Sequence, residues 1–334
     1  MLRWFKKDPL LIIPFRTYGT SNHIYLKGRA IEDEGIDLNK KNWLNVLVNS
    51  WKRFETDEIR KTNLIFKLPG QLRLESKTDA EGYYLIDNAT QSLSSYTDAE
   101  GWLSYNVSYA DSKLRKIQCN NRFTGEMLVP DNSADFGIIS DIDDTILHTG
   151  VTSKLKWRVI ANTLFKTPHK RKALEGTAEF YRALHLGPKA NNKNPVFYVS
   201  NSPWNLYRYL AFFLKTNHFP KGPILLRDFR MFFDRTPRTE RAHKYHEIDN
   251  ILLHYPHLNF ILIGDCGEKD PDIYLDIVKA YPGRVAAIYL RSVNHKRKMK
   301  RIASKFQNYS DVPFLIVEKS RDAMIHAKQH GFLA

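Results

Sequence analysis

The part of the chain that follows residue 135 constrains the fold most strongly, because short apolar runs alternate there with helical stretches. The runs cover residues 136–140, 196–200, 224–226, 260–264 and 286–290. Runs that are apolar on both faces and spaced by helices are typical of a parallel sheet that is covered on both sides. The sequence therefore predicts an α/β domain with a doubly wound parallel sheet. In such sheets, ligands bind at the carboxyl ends of the strands.

The part of the chain up to residue 130 has a mostly β pattern. Segments such as TNLIFKLPG and WLSYNVSYA are rich in aromatic and branched residues, whereas residues 43–54 have helical spacing. The sequence Asp-Ala-Glu-Gly occurs at 79–82 and again at 98–101, each time before aromatic, strand-like sequence. We expect a small β-sandwich-like domain over residues 1–130, in which the repeated segment forms structural turns, followed by the α/β domain over residues 131–334.

The charge of the chain is unevenly distributed. The formal net charge is +15, yet residues 1–135 carry 19 basic and 18 acidic side chains, and residues 136–334 carry 32 and 18. A basic field confined to one domain indicates a polyanionic partner. The candidate classes are anionic lipid, nucleic acid and a phosphorylated substrate. A basic surface without a specific partner is the alternative. No nucleic-acid reader motif is recognisable, so we expect no nucleic-acid partner.

Cysteine content and hydropathy bear on the compartment. Cys119 and Cys266 lie far apart without metal-type spacing, so neither a disulfide framework nor a zinc site is indicated. No segment approaches the ~18 consecutive apolar residues of a membrane-spanning helix. The first fifteen residues resemble a signal peptide, but Asp8, Pro9 and Pro14 interrupt the apolar run. We expect a cytoplasmic protein without a transmembrane segment, and we leave a peripheral membrane contact open.

Two carboxylates follow the first apolar run of the α/β domain directly. Asp141 and Asp143, in the sequence Ser-Asp-Ile-Asp-Asp-Thr, can turn toward one point at the sheet edge. A divalent cation there would gather both carboxylates and a phosphate dianion. One carboxylate can attack phosphorus, and a second can protonate the leaving oxygen and then activate water. An acidic turn that caps a helix is the alternative, but it does not account for all five positions of the motif.

Other polar residues follow later runs. Ser200 stands at the end of the second run, where its hydroxyl can donate to a phosphoryl oxygen, although taken alone it is more typical of a helix cap or a turn. Asp265 and Asp270, in the sequence Gly-Asp-Cys-Gly-Glu-Lys-Asp, supply hard oxygen ligands of the kind that Mg²⁺ takes. Lys244 is a candidate cation for transition-state charge, and Arg241 is its rival.

These segments, in this order, look like the four motifs of the haloacid dehalogenase superfamily. More narrowly, SDIDDTILHTGVTSKLK, FYVSNSPWNLY, FPKGPILLRDF and FILIGDCGEKDPDIYLDIVKAYPGRVAAIYLR resemble the catalytic domain of the actin-patch-type phosphatidate phosphatases, which are distantly similar to the lipins. The similarity covers roughly residues 130–310. It implies a haloacid dehalogenase-like fold and Mg²⁺-dependent phosphatase activity.

The resemblance also implies residue roles. Asp141 is the nucleophile and a magnesium ligand, and Asp143 is the general acid and base and binds the ion through its backbone carbonyl. Asp265 completes the metal site, and Asp270 assists it. Thr145 supports the geometry of the first motif. Ser200 contacts the phosphoryl group, and Asn201 also binds the substrate. Lys244 offsets the charge of the nucleophile and the phosphate. Cys266 departs from the serine expected in this family, and we expect it to be sensitive to oxidation.

The segment between the first two motifs is a basic, cap-like insertion at about 149–195. Lys170 and Arg171 are its candidate substrate-binding residues, and aromatic side chains are interspersed among its basic ones. Such a segment suits contact with an anionic lipid surface, and a cationic helix whose aromatics pack on the sheet is an equally good interpretation. A second basic cluster at 295–301 is another candidate anionic contact, although such a run is more often only solvated.

Three functional hypotheses follow. The first is a phosphatase that acts on a lipid phosphomonoester such as phosphatidate at a membrane surface, with Mg²⁺ as cofactor. The second keeps the same chemistry with a soluble or protein phosphate as substrate. The third is a non-catalytic module that binds acidic lipid or nucleic acid, and the presence of both Asp141 and Asp143 weighs against it, because binding alone needs no acid/base pair.

Overall fold

The computed structural model divides the chain into two compact units, Met1–Pro130 and Asp131–Ala334. It describes residues 8–32, 58–112, 116–131, 133–143, 145–146, 174–190, 193–227, 243–293 and 295–334. Several sequence predictions lie outside these residues, namely the helical stretch at 43–54, Lys170 and Arg171 of the insertion, and Arg241.

The first unit is a β structure, as the sequence predicts. Its strands are β1 (Leu10–Pro14), β2 (Thr17–Thr20), β3 (His23–Glu32), β4 (Asn63–Lys67), β5 (Arg73–Lys77), β6 (Tyr83–Ala89), β7 (Trp102–Tyr109) and β8 (Phe123–Leu128). They form one sheet in the order β1-β3-β2-β8-β7-β4-β5, with β6 also paired to β3. Apart from the parallel pair of β2 and β8, neighbouring strands run antiparallel.

The sheet of the first unit curls around a single core. Phe66 on β4 contacts Tyr84 on β6 with ring centroids 5.0 Å apart, although other strands separate β4 from β6 in the sheet order. Both rings are buried together with Tyr105 and Tyr109 of β7. Alternating strand residues therefore point into one apolar interior, as expected of half-buried antiparallel strands.

The two Asp-Ala-Glu-Gly segments form matching turns, which confirms their structural interpretation. Asp79 Oδ1 accepts hydrogen bonds from the backbone N–H of Glu81 and Tyr83, both at 2.8 Å. In the second turn, Asp98 Oδ1 accepts from the residues at the same two offsets at 2.8 and 2.9 Å. The aspartate side chain thus satisfies backbone donors at a tight turn and fixes where the following strand begins.

The second unit is mixed α/β with a parallel sheet. Its strands are β9 (Gly137–Ser140), β10 (Val196–Pro203), β11 (Ile224–Arg227), β12 (Phe260–Asp265), β13 (Val285–Arg291) and β14 (Phe314–Val317). They lie in the order β11-β10-β9-β12-β13-β14, and all paired strands run parallel. Every residue of β9 and β12 is buried, which confirms the prediction that these apolar runs are covered on both faces.

Helices alternate with these strands. They are α1 (Thr177–Leu186), α2 (Tyr207–Thr216), α3 (His243–His254), α4 (Asp270–Ala280), α5 (Lys296–Phe306) and α6 (Ser320–Gln329). Among the described helices, none is long and apolar enough to cross a membrane.

The strand order places the polar motifs at one edge of the second sheet. From β9 the chain moves outward through β10 and β11, and it then returns to the other side of β9 with β12. Crevices in parallel sheets form where the strand order reverses in this way, at the carboxyl ends of the strands. Asp141 follows β9, Asp265 ends β12 and Ser200 lies near the end of β10, so three separate motifs meet at this point.

Gly82 provides a test of how tightly the first unit is built. Its φ is +78°, and a Cβ at this position would lie 2.5 Å from the carbonyl oxygen of Ala30. We expect Gly82→Ala to lower the free energy of unfolding by about 2–4 kcal/mol, because it adds a backbone clash to the strain of positive φ. Chemical denaturation measures this.

Gly70→Ala is the matched control. Its φ is +71°, but the nearest neighbour of an added Cβ is the partly exposed Tyr96 side chain at 3.1 Å, which can move. We expect a loss of only about 1 kcal/mol from the backbone conformation alone. Equal losses for the two variants would contradict the assigned role of the Ala30 contact.

Candidate active site

Asp141 is held at the edge of the second sheet by contacts on both sides. Its backbone N–H donates to the carbonyl of Ile263 at 2.8 Å, which continues the pairing of β9 with β12. Its Oδ1 accepts a hydrogen bond from Lys244 Nζ at 2.9 Å, and its Oδ2 accepts one from Thr145 Oγ1 at 3.2 Å. The carboxylate is buried and oriented before any substrate binds.

Lys244 joins two acidic segments of the chain. It lies in the first turn of α3 and is 1% exposed. Besides Asp141, its ammonium group donates a short hydrogen bond to Asp270 Oδ1, and Glu268 Oε2 lies 3.6 Å away. A buried ammonium group needs such partners, because transferring an isolated charge out of water is strongly unfavourable.

Asp143 is held by two serine hydroxyls. Ser200 Oγ donates to its Oδ2 at 2.6 Å, and Ser202 Oγ lies 3.2 and 3.0 Å from its two carboxyl oxygens. The N–H of Ser202 in turn donates to Ser200 Oγ at 2.8 Å. The end of β10 therefore fixes the second carboxyl group of the first motif beside the first.

The acidic turn after β12 depends on its two glycines. The backbone N–H of Asp265 donates to Asp270 Oδ2 at 3.1 Å, and Asp265 Oδ1 accepts from the N–H of Glu268 at 2.8 Å. A Cβ at Gly264 would lie 2.5 Å from Asp270 Oδ2, and one at Gly267 would lie 2.8 Å from Asp265 Oδ1. Only glycine leaves room for both carboxylates within so short a turn.

The buried charges perturb one another. Burial raises the pKa of Asp141 well above its ordinary value, and Lys244 only partly opposes this effect. Burial likewise raises the pKa values of Asp143 and Asp270. Burial would by itself lower the pKa of Lys244, but the carboxylates of Asp141 and Asp270 outweigh it and raise that pKa well above its usual range. Paired carboxyl groups with displaced pKa values are characteristic of acid/base sites.

The donor set fits a divalent cation. Among the described residues, four buried carboxyl groups lie at this edge with one buried lysine, Lys244, so negative charge is in excess there. The carboxyl groups belong to Asp141, Asp143, Asp265 and Asp270. Carboxylate and carbonyl oxygens are the ligands that Mg²⁺ prefers, and an ion of charge two would offset the excess.

The structure brings most of the predicted site residues together. They are Asp141, Asp143, Thr145, Ser200, Lys244, Asp265 and Asp270. Ser200, which we predicted to contact the phosphoryl group, lies against Asp143. Asn201 is exposed next to it.

Several contacts were not foreseen. Ser202 and Glu268 have no separate motif of their own, although both stand inside strings that were quoted for the resemblance. Tyr181 on α1 shares a 2.5 Å hydrogen bond with Ser140, the residue before Asp141. No sequence signal could have paired Tyr181 with Ser140, because 41 positions separate them.

A small cleft adjoins the site, and Thr145 and Tyr181 line it. Arg291, the last residue of β13, also lines this cleft and is partly buried. Burial lowers the pKa of its guanidinium, and the nearby Tyr181 and Asp265 oppose this effect. A cationic side chain beside Thr145 is suited to receive part of an anionic ligand.

Comparison with known proteins agrees with this geometry. Residues 136–292 match the family described as "Phosphatidate phosphatase APP1, catalytic domain". The family resemblance is confirmed. Phosphatidate phosphatase APP1 of Saccharomyces cerevisiae is 38% identical over 156 residues, which is 46% of this chain and 25% of that protein. A Schizosaccharomyces pombe protein described as uncharacterized is 28% identical over 221 residues, or 65% of this chain and 34% of that protein.

The shared region is confined to part of each relative. The matched segment spans about a quarter to a third of the length of these two proteins. The family match contains β9 to β13 and every site residue described above.

Lys244 offers a test of the electrostatic arrangement. We expect Lys244→Met to lower the free energy of unfolding by about 3–5 kcal/mol at neutral pH, because it leaves Asp141 and Asp270 buried without their cation. Adding Asp270→Asn should restore part of this loss. Denaturant titrations of the wild type, the single variant and the double variant measure both effects.

The pH dependence of Lys244→Met has a defined sign. Burial raises the folded-state pKa of both carboxyl groups above the unfolded value, so the associated stability is fully present below the unfolded pKa and is lost as the pH rises through the folded one. The deficit of the variant relative to the wild type should therefore shrink as the pH is lowered. A deficit that grew on acidification would exclude this account.

Cys266 does not meet the expectation of sensitivity to oxidation. Its side chain is fully buried, and burial raises the pKa of its thiol to about 12, whereas Cys119 is exposed. Because the thiolate is the reactive form, we expect iodoacetamide to modify Cys119 and to leave Cys266 intact in the native protein. Peptide mass spectrometry after alkylation checks this, with the denatured protein, in which both thiols should react, as control.

Proposed function

We propose that the second unit is a magnesium-dependent phosphomonoester hydrolase that works through an aspartyl-phosphate, with phosphatidate as the substrate. The observation that carries the proposal is the geometry around Asp141. Its carboxylate is buried and fixed by Lys244 and Thr145, while the carboxyl group of Asp143 stands two residues further on with a raised pKa. A nucleophile and an acid/base group are thereby provided in one short segment.

In the first step, a carboxylate oxygen of Asp141 attacks phosphorus and the bond from phosphorus to the ester oxygen breaks. The departing alkoxide takes its proton from Asp143, whose pKa burial raises toward the value that a general acid requires. Ser200 and Ser202 orient this carboxyl group toward the leaving oxygen. The products of the step are an alcohol and the phosphorylated Asp141.

In the second step, water attacks the aspartyl-phosphate. Asp143, which is now ionised, accepts a proton from the water as the new oxygen–phosphorus bond forms. The bond between phosphorus and the Asp141 oxygen breaks, so inorganic phosphate leaves and both carboxyl groups return to their starting forms. Lys244 offsets the negative charge that accumulates at Asp141 throughout.

A magnesium ion would be held by the carboxylates of Asp141 and Asp265 and the backbone carbonyl of Asp143. When bound, it supplies positive charge that screens the phosphate dianion from the carboxylates. The excess of buried carboxylates over lysine at this edge supports its presence. Asp270 supports the metal site indirectly by orienting Lys244 and the N–H of Asp265.

The haloacid dehalogenase-like, doubly wound arrangement is part of the same proposal. Two observations support it. The strand order of the second sheet reverses between β9 and β12, and helices alternate with the strands. The choice of phosphatidate is supported by the names printed for the matching family and for the yeast relative. Contact of Lys170 and Arg171 with lipid, and a cytoplasmic location, stay predictions.

Phosphate release tests the function. We expect release from phosphatidate in mixed micelles that requires Mg²⁺ and is lost on chelation. Asp141→Asn should reduce turnover to background, and Asp143→Asn should reduce it by about 100-fold to 10,000-fold, because each removes one chemical role from an otherwise intact site. Asp276→Asn, at an exposed position on α4, is the matched control and should keep full activity.

The outcomes separate the alternatives. Phosphate release from a soluble aryl phosphate but not from phosphatidate would support the proposed chemistry and contradict phosphatidate as the substrate. Turnover by Asp141→Asn at the wild-type rate would disprove the assigned nucleophile. Inactivity of the wild type on both esters, with Mg²⁺ present, would contradict the proposed phosphatase activity.

A further inference from the structure

Helix α5 is strongly basic. Its eleven residues, KRKMKRIASKF, include no acidic side chain. The basic residues are Lys296, Arg297, Lys298, Lys300, Arg301 and Lys305. From sequence alone such a run is more often only solvated, so the case for a binding role depends on how its side chains are arranged.

The two faces of α5 differ. Ile302 and Phe306 are buried, and Phe306 stacks on Phe314 of β14 with ring centroids 4.2 Å apart, so the apolar face packs on the sheet. The opposite face carries four exposed cations, which we call the basic face; they are Lys296, Arg297, Lys300 and Arg301. The helix is therefore anchored from within and presents only positive charge outward.

The cations of the basic face have no acidic partners among the residues that the structure describes. By contrast, Lys305 on the same helix pairs with Asp272, and Lys298 Nζ donates to the carbonyl of Gly267 at 2.8 Å. Partners are thus available to other lysines of α5. The basic face is left to interact with something outside the protein.

The position of these charges within the helix is unfavourable to the helix itself. A helix N-terminus carries partial positive charge and is stabilised by acidic residues, yet the first turn of α5 contains no acidic residue and begins Lys-Arg-Lys. His295 Nδ1 caps the helix by accepting from the N–H of Lys298 at 3.1 Å, but no acidic residue offsets the positive charge of the first turn. A local arrangement that opposes helix stability is expected where the sequence serves binding. An external anionic surface would relieve the repulsion.

The first turns of α5 lie beside the acidic turn of the candidate active site. Helix α5 begins shortly after β13, and Arg291 at the end of β13 is the neighbour of Asp265 in the register of the two strands. Lys298 Nζ donates to the carbonyl of Gly267, which ties the start of α5 to the acidic turn. Because Lys296 and Arg297 stand at the start of α5, this end of the basic face lies near the edge of the sheet that carries Asp141 and Asp265.

We propose that the basic face of α5 is a docking surface for an anionic membrane, which presents a lipid substrate to the neighbouring site. This inference rests on the proposed function for the lipid nature of the substrate. A membrane is favoured over nucleic acid because the basic face carries no aromatic side chain that could stack on a base. Because the apolar residues point inward, binding is electrostatic and does not involve insertion of the helix.

Vesicle sedimentation tests the proposal. The full chain is mixed with vesicles made of equal parts of phosphatidylcholine and phosphatidylserine, which has no phosphomonoester for the active site. We expect replacement of all four cations of the basic face by glutamine to weaken binding by at least about tenfold. Binding of the wild type should fall with added salt, and vesicles of phosphatidylcholine alone should not bind.

A second variant with the same loss of charge is the control. It replaces exposed lysines near the last turns of four other helices, which lie at the opposite edge of the sheet because those helices run antiparallel to the strands. These lysines are Lys189, Lys215, Lys279 and Lys328. We expect this control to bind vesicles as the wild type does, and thermal unfolding should show both variants to be folded.

The readouts separate docking from catalysis. Turnover of a soluble aryl phosphate should be unchanged in the basic-face variant, whereas turnover of phosphatidate in anionic vesicles should fall with binding. Equal losses of vesicle binding in both variants would overturn the proposal in favour of net charge alone. Loss of oligonucleotide binding with unchanged vesicle binding would identify a nucleic-acid surface and also overturn it. Vesicle binding is measurable even if no phosphate release is found, so failure of the proposed function would be seen separately.

Discussion

The buried ion group of Lys244 with Asp141 and Asp270 is the interaction on which the second unit depends. One ammonium group at 1% exposure is bonded to carboxylates from two different strand ends. Burying three charged groups together is tolerable only when each has its partner, and removing one leaves the others uncompensated. The contacts of Lys244 that stabilise the fold also hold the Asp141 side chain in one orientation. The stability of this ion group and the orientation of the Asp141 carboxylate therefore have one physical source.

The parallel sheet explains how distant residues reach this ion group. Lys244 is 103 positions from Asp141 and 26 from Asp270, so no local periodicity joins them. Fully buried strands end at a common edge, and whatever polar residue follows each strand is carried there. The register of β9 with β12 fixes the position of Asp141 relative to Asp265. Gly264 and Gly267 let the acidic turn form without a steric clash. Apolar packing in the sheet interior thus determines the spacing of the charged groups at its edge.

Much of this could be predicted from the sequence, and the remainder could not, for identifiable reasons. Apolar runs followed by polar residues indicated the strand ends, and the aspartates of the repeated turns indicated the bends of the first unit. Contacts between side chains depend on which helix covers which strand, so the pairing of Tyr181 with Ser140 had no signal. Ser202 has no sequence signal of its own beside Ser200, although both hydroxyls contact Asp143. The position of Cys266 next to Asp265 in the chain does not show that its thiol is buried.

The charge of the site raises a question about how an anionic substrate approaches it. Buried carboxylates outnumber the single lysine among the described residues at this edge, so the site by itself repels a phosphate dianion. The excess positive charge of the chain lies in residues 136–334, and part of it is concentrated on α5 beside the acidic turn. Fields from exposed cations extend over a Debye length of about 8 Å at physiological salt, which is comparable with the separation of neighbouring helices. The exposed cations of α5 beside an acidic centre therefore attract an anion at long range, and Lys244 is the described cation that offsets its charge at short range.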